Sequence, residues 1–105
     1  MVVLNMEPRN ILKIESLSQE WRDKDSVMLH ACFQLLKDFV EKEDIHKDRD
    51  YWTVDEKHIA AKLEIDNLYH WWTNYSEPDV PNGNQFELEN SMLIRLIKIR
   101  WALWT

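Results

Sequence analysis

The acidic residues with the clearest metal-ligating spacing lie in a charged connector, residues 43–52, between two predicted helices. Acidic residues and one histidine occupy positions one, three, five, seven and twelve of a loop, as in calcium-binding EF-hands. Arg49 stands where that loop needs glycine, and Asp55 stands where it needs a bidentate glutamate. The pattern is therefore more typical of a solvated linker. Its weak candidate ligands are Asp44, His46, Asp48, Asp50 and Asp55.

Two short acidic patterns suggest a second metal chemistry. Glu20-x-x-Asp23 and Glu41-x-x-Asp44 are similar to the paired acidic motifs with which all-α nucleoside-triphosphate pyrophosphohydrolases hold magnesium. Glu41 falls on the polar face of a predicted helix, which is more often solvated. A small metal-dependent (Mg²⁺ or Mn²⁺) hydrolase is therefore the alternative interpretation. The main interpretation has no catalytic residue, cofactor or metal ion.

Aromatic residues near the end of the second predicted helix are the best candidates for a functional surface. Trp71 and Trp72 are adjacent, so on a helix their side chains point about 100° apart and cannot both face one core. We expect one of them to form an exposed apolar patch with the Pro-rich loop that follows, and Trp and Tyr are favoured anchors of protein interfaces. The expected partner-binding residues are Trp71, Trp72, Tyr75, Pro78, Val80 and Pro81.

The helices that must position these residues follow from apolar periodicity. The segment 26–44 places its apolar residues, Cys32 among them, within one arc and is typical of an amphipathic helix. A polar stripe lies opposite and is a second candidate surface. Its members are His30, Gln34, Lys37 and Glu41.

Two further helices are predicted, over 54–75 and 85–104. Capping boxes, Thr53 with Glu56 and Asn84 with Glu87, precede them. The last helix is apolar around most of its circumference and should therefore be covered on more than one side. These patterns predict one all-α domain over residues 1–105, a three-helix bundle with a central C-terminal helix and an extended N-terminal arm at 1–15.

Composition excludes several classes of function. The formal net charge of −6 disfavours binding to nucleic acid and to anionic membrane surfaces. Charged residues interrupt the longest apolar stretch, so its sequence does not predict a transmembrane helix. The N-terminus has no signal-peptide pattern, and a single cysteine suits a reducing compartment. We therefore expect a cytoplasmic protein without nucleic-acid or membrane partners.

Three segments carry a family resemblance: LHACFQLLKDFVEKE (29–43), LYHWWT (68–73) and IRWALWT (99–105). They resemble a family of small all-helical proteins encoded by tailed bacteriophages. The resemblance covers mostly apolar residues and implies a fold and a context, the cytoplasm of the bacterial host, and no catalytic residues.

The sequence thus predicts a non-catalytic phage protein that acts by protein–protein interaction, with a bacterial host protein as the partner that it modulates. Two alternatives use the same kind of surface. A homodimer would bury the same aromatic residues, since an isologous interface needs only one self-complementary patch. A structural subunit of the virion would assemble into larger oligomers.

Overall fold

The computed structural model describes residues 11–18, 20, 22–43, 49–78 and 82–104, and every regular element in those ranges is helical. This agrees with the predicted all-α class. The elements are α1 (Lys24–Lys42), the short α2 (Arg49–Trp52), α3 (Glu56–Thr73) and α4 (Gly83–Lys98), followed by a 3₁₀ turn (Arg100–Ala102).

The helix α3 contacts α1, α2 and α4, and α1 also contacts α4. One apolar cluster joins these elements. Its largest fully buried side chains come from α1 and α3: Phe33, Leu36, Ile65 and Leu68. The packing between α1 and α3 therefore forms the centre of the molecule.

The prediction of a central C-terminal helix is wrong. Met92 and Leu96 are the buried residues of α4, whereas Ile94 is 52 % exposed and Ile97 is 60 % exposed. The apolar circumference of α4 exceeds what α1 and α3 cover, because α3 occupies the central place. One face of α4 consequently remains in solvent.

The helix starts differ from the predicted capping boxes. Asp55, not Thr53, caps α3, and its side chain accepts a hydrogen bond from the backbone N–H of His58 at 2.8 Å. Thr53 instead follows α2 and donates its hydroxyl to a backbone carbonyl there. Asn82, not Asn84, caps α4. The helix α2, unpredicted, places Trp52 in the core, where its ring contacts Phe39.

The described part of the N-terminal arm, from Ile11, has no regular secondary structure and lies on the polar side of α1. The backbone N–H of Glu15 donates to Gln34 Oε1 at 3.1 Å. Ser16 Oγ lies 2.7 Å from His30 Nδ1. The arm thus covers a helix face that would otherwise be solvated. Residues 1–10 of the predicted arm lie outside the described residues.

Candidate functional site

A surface cleft of about 500 Å³ lies between α1 and the C-terminal end of α3. It combines members of both predicted surfaces, since the polar stripe of α1 forms one wall and the aromatic end of α3 forms the other. We call it the His30 cleft. Its lining residues are Ser16, His30, Lys37, Glu41, Trp72, Thr73, Tyr75 and Glu77.

His30 occupies the inner wall of the cleft and is only 4 % exposed. Its Nδ1 is paired with Ser16, whereas its Nε2 is buried without a hydrogen-bond partner among the described residues. Burial lowers the pKa of His30, and nearby Arg22 acts in the same direction against the carboxylates of Glu77 and Glu89. A buried polar atom without a partner costs free energy, so a polar atom of a ligand placed there would be stabilised.

The aromatic wall is built by stacking. The Trp72 ring stacks between Phe33 and Tyr75, with ring centroids 5.0 Å from each, and meets the His30 ring edge-on at 4.9 Å. The Tyr75 hydroxyl donates to Glu89 on α4. Burial and that carboxylate raise the pKa of Tyr75, so its hydroxyl stays protonated. The wall is therefore rigid and uncharged.

The rim of the cleft is mainly acidic. The ammonium of Lys37 is held by the carboxylate of Glu15 at 2.9 Å. Glu41 accepts a hydrogen bond from the Tyr69 hydroxyl at 2.6 Å, and Glu77 accepts a long one, 3.4 Å, from Ser26. Both carboxylates keep further acceptor positions. The rim can consequently accept hydrogen bonds from a cationic group.

The predicted aromatic patch is only partly exposed. Trp72 is buried and Trp71 half-buried, because α3 is covered by both α1 and α4 and both rings reach Phe33. The expectation that two adjacent tryptophans cannot both pack inward is therefore wrong here. Tyr75 and Pro78 are half-buried, and the predicted contacts Val80 and Pro81 lie outside the described residues.

The second predicted surface, the polar stripe of α1, is only partly exposed in the structure. His30 and Gln34 are buried beneath the N-terminal segment, and Gln34 bonds both Glu15 and Asp38. Lys37 is half-buried and Glu41 exposed, so these two lie at the cleft rim. A helical periodicity identifies a polar face but does not show that another segment covers it.

The candidate metal ligands are not brought together in the described part of the chain. Asp50 is exposed, and Asp55 caps α3 while its carboxylate contacts the His58 ring at 2.6 Å. Asp44, His46 and Asp48 lie outside the described residues. Within the described ranges no group of three His, Cys, Asp or Glu side chains could hold a metal ion.

The acidic patterns of the hydrolase alternative are likewise dispersed. Glu20 is exposed, Asp23 is the residue before α1, and Glu41 lies at the other end of that helix. Cys32 packs against the apolar cluster, and burial raises the pKa of its thiol, so the reactive thiolate is disfavoured.

Sequence reasoning missed three lining residues: Ser16, Thr73 and Glu77. Thr73 follows directly on the tryptophan pair, and Glu77 lies within the loop already singled out, so proximity in sequence could have included both. Ser16 reaches the cleft through the folding of the arm onto α1, and no local pattern signals that contact.

No protein-family model matches this chain, and no curated protein or solved structure matches it either. None of the described helices combines the length and the apolar character needed to cross a membrane.

Proposed function

We propose that this chain is a non-catalytic protein-interaction domain and that the His30 cleft receives a basic side chain of its partner. The observation that carries the proposal is the composition of the cleft. Carboxylates of Glu41 and Glu77 lie on the rim, and Trp72 and Tyr75 form a wall. Among the described lining residues the one cation is Lys37, which already has a carboxylate partner.

Arginine fits this arrangement better than a neutral side chain. Its guanidinium carries five N–H donors for carboxylates and packs favourably on aromatic rings. The overall charge of −6 would also attract a basic segment over longer range. Both contributions should weaken in salt.

The Nε2 of His30 has no hydrogen-bond partner among the described residues, and because it is buried, a partner group reaches it only when the side chains that cover it move. In its neutral form the imidazole has one donor nitrogen and one acceptor nitrogen. When Ser16 accepts from Nδ1, Nε2 is the acceptor and can take a hydrogen bond from a partner N–H. Occupation of the cleft would then relieve an existing penalty in the free protein.

The resemblance of segments 29–43, 68–73 and 99–105 to bacteriophage proteins supports a bacterial host protein as the partner, and modulation of that protein as the role. The corresponding place of action is the bacterial cytoplasm. No step of the binding argument depends on this origin.

The test is capture of partners from bacterial lysate by tagged protein, followed by binding measurements with the purified partner. We expect a host protein to be retained by the wild type and lost by the double variant Glu41→Gln/Glu77→Gln. A matched control, Glu20→Gln/Glu43→Gln, removes the same charge from exposed positions outside the cleft and should retain the partner.

A direct probe is a short peptide with one Arg, titrated into isotope-labelled protein. We expect saturable shifts of the His30, Thr73 and Glu77 amide signals, absent with the cleft variant and with a peptide in which Gln replaces Arg. Equal shifts for the Gln peptide, or for the cleft variant, would contradict the proposal.

Two measurements separate the alternatives. A metal-dependent hydrolase would show a higher melting temperature with Mg²⁺, Mn²⁺ or Ca²⁺, because a ligand that binds only the native state raises its stability. A virion subunit would form large oligomers and be found in purified particles. If no host protein is captured, the first result would favour the hydrolase over the interaction proposal, and the second result would favour the virion subunit.

A further inference from the structure

The exposed side of α4 carries an apolar stripe that is separate from the His30 cleft. Its members follow at spacings of four, four and three residues, which places them on one helix face. Ile94 and Ile97 are more than half exposed at the C-terminal end of this stripe. The stripe consists of Phe86, Asn90, Ile94 and Ile97. Trp101, in the 3₁₀ turn that follows α4, packs instead on α3, with the ammonium of Lys57 4.2 Å from its ring centroid.

The two ends of the stripe carry opposite charges. Glu87 lies exposed beside its N-terminal end, and Lys98 and Arg100 lie exposed beside its C-terminal end. A second copy of the helix in parallel orientation would bring the two acidic ends together at one end of the pair and the two basic ends together at the other, which is repulsive. In antiparallel orientation each acidic end meets a basic end.

We propose that this outer face of α4 binds α4 of a second copy, antiparallel, around a two-fold axis near residues 93 and 94. In that register Phe86 lies beside the C-terminal end of the second copy's α4, and Glu87 lies on the same flank as Lys98 of the second copy, within reach of it. Each contact occurs twice, as an isologous interface requires. Asn90 lies opposite Ile97 and is the one polar residue within the apolar seam.

The available area indicates a weak dimer. One helix face of this length offers on the order of 500 Å² per copy, against about 800 Å² in an interface of standard size. Met28 of α1, 59 % exposed, lines the same groove as Phe86 and extends the apolar surface. The association should therefore depend on protein concentration and exchange rapidly.

Sedimentation equilibrium over a range of protein concentrations tests the pairing. We expect the wild type to associate and Ile94→Glu to be monomeric at every concentration, since two carboxylates would meet at the two-fold axis. The control Leu35→Glu introduces the same charge at a comparably exposed position, on α1, and should associate as the wild type does. Circular dichroism verifies that each variant keeps its helices.

Charge exchange tests the orientation. Glu87→Lys and Lys98→Glu should each weaken association several-fold, and the double variant should restore it. A parallel pair would show no restoration, because ends of like charge still lie together. A wild type that is monomeric throughout, a double variant as weak as the single ones, or an equal loss in Leu35→Glu would overturn the proposal.

Discussion

The contact between α1 and α3 and the outer face of α4 use the same residue types in opposite environments. Phe33 and Ile65 are 0 % exposed in the contact, whereas Ile94 and Ile97 lie more than half in solvent on α4. Burial of apolar area is the main source of folding free energy. Stability should therefore be concentrated between α1 and α3, and the outer face of α4 is free to serve association.

The two regions also differ in their polar groups. The polar side of α1 includes two buried polar side chains, His30 and Gln34, whose contacts come mainly from the N-terminal segment. The α3–α4 seam is bridged instead by partly exposed pairs such as Arg95 with Glu64. A ligand of the His30 cleft would therefore contact buried groups on which folding depends, whereas a ligand of the outer face of α4 would not.

The largest expected effect comes from a matched pair of isoleucines. Ile65→Ala should lower the free energy of unfolding by roughly 2–5 kcal/mol, because the cavity left in a packed core cannot fully collapse. Ile97→Ala removes the same atoms from a side chain that is 60 % exposed and should cost less than about 1 kcal/mol. Urea denaturation at low protein concentration measures both.

A low concentration keeps any dimer from adding to the apparent stability of Ile97→Ala. Equal losses in the two variants would show that α4 belongs to the core as fully as α3 does. That result would remove the basis for the difference between the two regions.

The helical class could be predicted because it depends on local patterns. Ala61, Ile65, Leu68 and Trp72 recur at helical spacing on a buried face, and the structure retains that face. The identity of the central helix could not be predicted, because it depends on which apolar face packs against other helices. Residues of both walls of the cleft, such as Lys37 and Tyr75, were predicted from the sequence. That they line one cleft was not predicted, because it depends on the packing of α1 against α3.

A second prediction concerns pH and His30. Burial lowers the pKa of His30 below its usual 6.5 in the folded protein, so the unfolded chain binds the proton more readily. Stability is therefore complete above pH 6.5 and falls as the pH decreases from there to the folded-state pKa. Replacement by Asn, which keeps a polar group near Ser16, should reduce this loss. Melting temperatures of the wild type and of His30→Asn between pH 7.5 and 5 measure this loss of stability.

An NMR titration of the His30 ring in the native protein gives the folded-state pKa directly. A midpoint at or above 6.5 would show that the carboxylates of Glu77 and Glu89 outweigh burial. The inner wall of the cleft would then be charged near neutral pH, and a basic partner group would be repelled there. An unchanged acid sensitivity in His30→Asn would show instead that other groups cause the loss of stability in acid.

A smaller effect is expected for the ion pair between α3 and α4. The guanidinium of Arg95 lowers the pKa of Glu64, so the pair stabilises the fold above the usual carboxylate range and loses that contribution as the carboxylate is protonated in acid. Both side chains are partly exposed, which limits the coupling to about 0.5–1 kcal/mol. A double-mutant cycle with Glu64→Gln and Arg95→Met at pH 7 measures it. At pH 3 the coupling should be smaller than at pH 7, and a coupling unchanged there would contradict an ionic origin.

The smallest effects distinguish two hydrogen-bonded tyrosines, Tyr69 on α3 and Tyr75 just beyond its C-terminal end. Tyr75→Phe removes a half-buried hydrogen bond to Glu89 on α4 and should cost about 1 kcal/mol. Tyr69→Phe removes a more exposed bond to Glu41 on α1 and should cost less than about 0.5 kcal/mol, because water replaces the lost partner readily. Urea denaturation of both variants gives the order. A larger loss for Tyr69→Phe would mean that the rim of the cleft, rather than the apolar contact beneath it, holds α1 and α3 together.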